Sequence, residues 1–262
     1  MKDLNVSAIQ HSLIWDCPES NRESIGAYID QEVAPNTDLI VLPEMFSTGF
    51  SMDTSKAELF SNDMDTISWM KAIAKAKDAA ITGSIKVKDG DDFYNRLLFV
   101  QPDGLVDQYD KKHLFSFAKE DEYYTAGSEQ LVVNFRGWRI CPLICYDLRF
   151  PEWARNVVDK KPRYDVLLYV ANWPAVRSAA WRTLLYARSI ENQCYLVGVN
   201  RVGSDQNNID YDGSSLILNP KGGLIQDTHP DETKCLSASF SWAELEDFRE
   251  KFPVIGDSDF TF

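Results

Sequence analysis

The sequence predicts an α/β fold: two mixed sheets with helices packed outside them. Three observations carry this. Apolar runs of strand length alternate with longer stretches whose apolar residues recur at i+3 and i+4. The alternation runs twice, each round opening strand–helix–strand–helix and closing in antiparallel hairpins. No linker-like composition shift, low-complexity run or short repeat interrupts the 262 residues. That length buries a sizeable core, so a single domain over 1–262 is expected, with 252–262 as its C-terminal tail.

The elements follow in order. Leu4 to Gln10 alternates loosely and reads as a strand. Pro18 to about Val33 reads as a helix: Asp16 is the expected cap, and Ile25, Ile29 and Val33 recur at i+4. Asp38 to Leu42 is a short apolar run of the kind buried on both faces, and Pro43 ends it. Asp63 to Lys77 is a second helix with Ile67, Met70, Ile73 and Ala74 inward. Ala80 to Lys86 is a strand, and Phe93 to Val100 pairs with Val106 to Asp110 across Pro102-Asp103-Gly104. The segment up to Gly127 is irregular, acidic and aromatic, as functional loops are.

The second round begins with a hairpin of Gln130 to Phe135 and Trp138 to Cys145 around Arg136-Gly137. Pro151 to about Val158 is expected to be a helix. Tyr164 to Ala171 is a buried strand. Ala179 to Asn192 is a long helix with Trp181, Leu184, Ala187 and Ile190 on one side. Tyr195 to Arg201, Ser214 to Leu218, Gly223 to Gln226 and Thr233 to Ser239 are strands, and Ser241 to Lys251 closes as a helix.

Composition narrows the function. The net charge of −13 argues against nucleic acid and anionic membrane surfaces as partners. A carboxylate-bearing substrate would need a local arginine or lysine to counter that field. The start, Met1 to Val6, has no signal-peptide h-region, and no apolar run approaches spanning length. Five cysteines without framework or CxxC spacing point to a reduced, cytoplasmic setting. Only His11, His113 and His229 are present, too few at ligand spacing for zinc, and no phosphate-cradling glycine pattern occurs. No metal and no cofactor are expected.

Three buried-looking strands end in reactive groups: Glu44 after Leu42-Pro43, Lys111 after Tyr109-Asp110, and Cys145 after Ile144. Alone, each has an ordinary reading: a loop acid, a solvated lysine, a buried cysteine. Together they divide acyl transfer among a thiol that attacks, a carboxylate that takes its proton and an ammonium that holds the oxyanion. A turn ahead of a helix would also give Cys145 free backbone N–H groups. A Cys–His dyad would have to use His113, for which the sequence offers no separate orienting carboxylate.

Leu42 to Phe46, Tyr109 to Phe115 and Cys145 to Pro151 together resemble the Glu, Lys and Cys marker set of the nitrilase superfamily of carbon–nitrogen hydrolases. The resemblance runs nearly end to end, through Tyr94-Asn95, Asn172-Trp173-Pro174, Ala187 to Asn192 and Asn200 to Gly203. Cys-Tyr-Asp-Leu-Arg-Phe-Pro and Tyr-Val-Ala-Asn-Trp-Pro look most like the bacterial omega-amidase branch.

The resemblance implies a four-layer αββα sandwich that pairs into a homodimer, with Ala179 to Asn192 and the tail as candidate contacts. It implies Glu44 as base, Cys145 as nucleophile, and Lys111 with the Tyr146 backbone N–H as oxyanion holders. Lys111 is preferred to Lys112 because it precedes x-His-Leu-Phe. A second glutamate is implied as well: counting back from Gly127 gives Glu120, with Glu122 the alternative. The implied substrates are terminal amides of 2-oxo dicarboxylic acids, 2-oxoglutaramate and 2-oxosuccinamate. Arg149 and Arg177 are candidates to pair their carboxylate, and Phe46, Phe115 and Trp173 to line the pocket. An N-carbamoyl amine or aliphatic amide hydrolase is the alternative with the same machinery. A non-catalytic binder of small carboxylates is the further one.

Overall fold

The structure, a computed structural model, describes residues 2–259. Phe260, Thr261 and Phe262 of the expected tail lie outside the described residues. In chain order the elements are β1 (Leu4–Gln10), α1 (Pro18–Glu32), β2 (Leu39–Val41), β3 (Glu58–Leu59), α2 (Asp65–Lys77), β4 (Ala80–Asp89), β5 (Asp92–Val100), β6 (Val106–Asp110) and α3 (Glu120–Tyr123). There follow β7 (Val133–Phe135), β8 (Trp138–Ile144), β9 (Val166–Ala171), α4 (Ser178–Asn192), β10 (Tyr195–Asn200), β11 (Val202–Ser204), β12 (Asp210–Asp212), β13 (Leu216–Leu218), β14 (Leu224–Asp227), β15 (Lys234–Phe240) and α5 (Trp242–Lys251).

One sheet runs β15-β1-β2-β4-β5-β6, with β3 beside β4; the other runs β14-β13-β10-β9-β8-β7. Both are mixed: β1, β2 and β4 are parallel, as are β8, β9 and β10, and the strands beyond them are antiparallel except short β3, which runs parallel to β4. Alternation along the first sheet sorts its side chains. Val6, Ala8, Leu39, Val41, Leu97 and Phe99 face the second sheet. Ile9, Ile40, Leu98 and Val100 face α1 and α2 through Ile25, Ile29, Ile67 and Met70. On the far side, Trp181 and Leu185 of α4 cover the second sheet. The result is the four-layer αββα sandwich, in which each fully buried apolar side chain contributes about 1.5–3 kcal/mol.

Helix ends obey local chemistry. α1 starts at Pro18, whose missing N–H costs nothing there. α2 stops at Asp78 in the left-handed region, with Lys75 and Lys77 in its last turn. Ser241 caps α5, accepting the Glu244 N–H. Among the described residues, no helix is long and apolar enough to cross a membrane.

Several expectations need correction. Asp16 does not cap α1; its carboxylate pairs with Lys86 at 2.6 Å, because that buried ammonium requires a counter-charge. Pro151 to Ala154 form turns, Arg155 to Val157 are irregular and Val158 bridges Lys161, so no helix forms there. There Asn156 bonds the backbone of Tyr164 and Asn192, and such side-chain bonds compete with helix. The inward stripe of α4 is Trp181, Leu185, Arg188 and Asn192, which leaves Ile190 exposed. Arg188 turns inward because its guanidinium reaches the Leu148 carbonyl at 2.6 Å. The sequence reading also missed the β11–β12 hairpin and the return of β15 to β1.

Candidate active site

The C-terminal ends of β2, β6, β8 and β9 lead directly into one buried polar cluster. Pro43 ends β2, and Glu44 follows with no solvent exposure. Its Oε1 accepts from Lys111 Nζ at 2.9 Å and from Asn95 Nδ2 at 2.8 Å. Its Oε2 accepts the Asn172 backbone N–H at 2.7 Å. Lys111, just past β6, also reaches both oxygens of Glu120, at 3.0 and 2.9 Å. Glu120 Oε1 takes a second bond from Asn95 at 3.1 Å, and Oε2 takes the Phe115 N–H at 2.6 Å. Glu122 is exposed and pairs with Lys119 instead.

Cys145 follows β8 and opens a 3-10 helix, Cys145–Arg149. Its φ is 42°, and Met45 beside Glu44 has φ 43°. Left-handed backbone at a side-chain-bearing residue costs about 1–3 kcal/mol and is held only where the surroundings dictate it. Here Asp147 supplies the hold. Its carboxylate accepts from the Ile144 N–H at 3.0 Å, Tyr109 OH at 2.7 Å, and the His113 N–H and Nδ1 at 3.0 and 2.8 Å. One carboxylate thereby clips the strand carrying Lys111 to the turn carrying Cys145. His113 does have an orienting carboxylate, contrary to expectation. Its ring stacks on Phe150 at 3.7 Å, and it hydrogen-bonds Asp147 rather than Cys145.

Burial, the neighbouring Glu44 charge and a hydrogen bond to Glu44 push the Cys145 thiol well above its ordinary pKa, against a smaller opposing pull from Lys111. The sulfur therefore keeps its proton at neutral pH and lies 3.8 Å from the Asn172 carbonyl oxygen. Burial works against the Lys111 ammonium, but Glu120 and Glu44 outweigh it and raise its pKa. Burial likewise raises the Glu120 carboxyl, with Lys111 pulling the other way. A neutral thiol next to a carboxylate, with a locked ammonium alongside, suits nucleophilic attack coupled to proton transfer. Cys141, four residues earlier, is pushed up to about 12 by burial. It does not line the cavity.

Cys145 and Lys111 lie in a cavity of about 850 Å³. Phe115, Trp173, Arg149, Arg177 and Tyr146 also line it. Arg149 stacks over the Trp173 ring at 4.8 Å and Arg177 over Phe115 at 5.6 Å. Neither is among the ion pairs of the described residues, so neither pairs with Asp147 or Glu152. Phe46 is a correction: it is wholly buried in the layer between the first sheet and its helices, 5.8 Å from the Trp69 ring. The left-handed turn at Met45 swings it away from the cavity.

Asn95, Asn172, Phe50 and the stretch Asp205–Tyr211 were not anticipated as site residues. Asn95 and Asn172 stood in family-like stretches, but an amide carries no signal of its own. Phe50 lies 5.2 Å from Lys111 Nζ. The β11–β12 hairpin forms one wall of the cavity through Asp205 and Ile209 of its loop and Tyr211 of β12. Among the described residues no group of three or more His, Cys, Asp or Glu is arranged to hold a metal ion.

Residues 5–250 match the model of the carbon–nitrogen hydrolase family. The chain is 44% identical over 262 residues to an omega-amidase, YafV, of Escherichia coli, covering 99% of this chain and 98% of that one. It is 33% identical to a 2-oxoglutaramate amidase of Bacillus subtilis, covering 96% of each. The crystal structure of XC1258 from Xanthomonas campestris, a protein of this superfamily with an arsenic adduct in its active site, superposes with a TM-score of 0.95. It is 41% identical and covers 100% of this chain and 99% of that one.

Proposed function

The chain belongs to the carbon–nitrogen hydrolase family, and we propose that it is an omega-amidase releasing ammonia from the terminal amide of 2-oxo dicarboxylic acid monoamides such as 2-oxoglutaramate and 2-oxosuccinamate. The observation that carries this reading is one cavity lined both by Cys145 and Lys111, the latter backed by buried Glu44 and Glu120, and by two arginines that form no ion pair among the described residues. The cluster fits acyl transfer, and the arginines fit a substrate carboxylate. The names of the relatives support the same branch. An N-carbamoyl amine or uncharged aliphatic amide would use the same thiol but leave both arginines idle.

In this reading Glu44 takes the Cys145 proton as sulfur attacks the amide carbon. Lys111 and the Tyr146 backbone N–H hold the tetrahedral oxyanion. Glu44 then protonates the departing nitrogen, ammonia leaves and a thioester remains. Glu44 activates water, the thioester opens to the acid, and the thiol regains its proton. Glu120 holds Lys111 in place, and Phe115 and Trp173 form apolar walls. General acid–base work by one such residue is worth about 10²–10⁴ in rate. We further propose one domain acting as a cytoplasmic homodimer. Exposed Ile190 on α4 and Phe252 in the tail support that contact.

The test is ammonia release from 2-oxoglutaramate by the wild type and Cys145→Ala, beside glutamine and an N-carbamoyl amine. Release from the 2-oxo amide that disappears in the variant is expected. Release from the carbamoyl compound alone would remove the branch and keep the chemistry. Activity surviving in Cys145→Ala would remove both.

A further inference from the structure

We infer that Asn95 is a positioning residue that decides which oxygen of Glu44 carries the proton. This rests on the amidase reading above and concerns one feature it leaves open. A carboxylate oxygen has two good acceptor positions. Both positions of Glu44 Oε1 are filled, by Lys111 at 2.9 Å and Asn95 at 2.8 Å. Oε2 accepts one nitrogen donor among the described residues, the Asn172 N–H at 2.7 Å. One position on Oε2 therefore meets no nitrogen donor among the described residues, which leaves it to the hydrogen bond that the Cys145 thiol makes to Glu44, and a proton lands there without displacing another donor.

Glu120 differs. Its four positions meet four donors: Lys111 twice, Asn95 and the Phe115 N–H. It has nowhere to take a proton during turnover, so the two glutamates have distinct work although both touch Lys111. Asn95 makes the distinction. Its single NH₂ group spans the two carboxylates, with one hydrogen to each. Turned the other way, its carbonyl would face two anions, so the orientation is fixed by charge. The Asn95 Oδ1 atom has no partner among the described residues, and the side chain is wholly buried. Truncation thus removes the two donated bonds and little else.

The proton path then has one address. The S–H bond breaks, its proton goes to Glu44 Oε2, and the sulfur pair forms the S–C bond. That proton next moves from Oε2 to nitrogen as the C–N bond breaks. Water gives a proton to Oε2 as its oxygen bonds the acyl carbon, and the S–C bond breaks as Oε2 returns the proton to sulfur. Without Asn95, Oε1 becomes a competing landing site, held by Lys111 alone.

The ionisable groups facing the two carboxylates are Lys111, Cys145 and Tyr124. The experiment compares wild type, Asn95→Ala and Asn95→Ser in two assays. One is ammonia release from 2-oxoglutaramate. The other needs no substrate: alkylation of Cys145 by iodoacetamide across pH, read by mass. Losing a bond to a charged group predicts a fall in kcat of at least about tenfold with KM little changed. Alkylation slows, and its acid limb moves to higher pH because the carboxylates lose a donor. Serine, which keeps one O–H, lies between. Folded variants with wild-type kcat and alkylation profile would overturn the inference. So would losses that follow the thermal midpoint alone with an unmoved pH profile. A wild type that releases no ammonia would count against the amidase reading, while the alkylation profile would still judge Asn95.

Discussion

Replacing Glu120 with glutamine is the sharpest perturbation of the cluster, because it keeps the shape and removes the charge. All four acceptor positions of this carboxylate are in use, and its residue is wholly buried. A glutamine accepts at one oxygen only. Whichever way its amide turns, the NH₂ meets two N–H donors, either those of Lys111 and Phe115 or those of Lys111 and Asn95. Two charge-assisted bonds are lost, at about 1.5–3 kcal/mol each. Lys111 recovers part of this by leaning on Glu44, which is already 2.9 Å away. That lean draws the ammonium away from the oxyanion position.

A net cost near the lower end, about 3 kcal/mol, is a loss of roughly 10² in kcat/KM. The assay is ammonia release from 2-oxoglutaramate with kcat and KM separated, beside a thermal melt to establish folding. The sign of the pH effect follows from burial, which raises the Glu120 carboxyl above its ordinary 4.5. As pH falls toward that raised value the wild type neutralises Glu120 and comes to resemble the variant. Glu120→Gln therefore lacks that part of the acid limb. A folded Glu120→Gln enzyme within about threefold of wild type, with an unchanged acid limb, would refute the view that Glu120 positions Lys111.

Three other expectations follow from the same structure. Cys145 rests as a thiol, so a wild-type minus Cys145→Ala difference spectrum shows no thiolate band at neutral pH and gains one only above the ordinary 9.0; a band at neutral pH would mean a preformed thiolate and a different role for Glu44. Arg149→Met and Arg177→Met raise KM for 2-oxoglutaramate by about tenfold or more while leaving KM for an uncharged amide unmoved, since only the charged substrate loses a partner; equal shifts for both substrates would make the arginines structural. Gly83→Ala places a methyl 2.8 Å from Phe46 and 2.9 Å from Leu42, both buried. That overpacking costs about 1–3 kcal/mol and lowers the thermal midpoint by several degrees; an unchanged midpoint would show that Phe46 is free to shift.

The site was legible where chemistry and strand endings coincide. Glu44, Lys111 and Cys145 each follow an apolar run that must be buried, so their convergence could be read from chain order. What escaped was set by backbone conformation or by partners distant in sequence. Nothing in Met45 announces a φ of 43°, yet that angle sends Phe46 to the helix layer instead of the cavity. The helix expected after Pro151 lost to side-chain bonds from Asn156 to Tyr164 and Asn192, a competition invisible to periodicity. On α4, a short apolar count put Ile190 inward, whereas the Arg188 bond to Leu148 rotates the stripe. The core alternation of β1, β2 and β5 was readable because it depends only on neighbours two residues apart.

The pairing of β15 with β1 bears on how the chain is made. Ser7 and Ser237 are partners 230 positions apart, and β1 is flanked on its other side by β2. During synthesis β1 therefore waits as an unprotected edge until β15 has emerged. Glu44 and Lys111 come from the sheet that closes last, and Cys145 and Asn172 from the other. The cluster is therefore complete only when the two sheets have packed face to face, and the strand that covers the β1 edge comes from far along the chain.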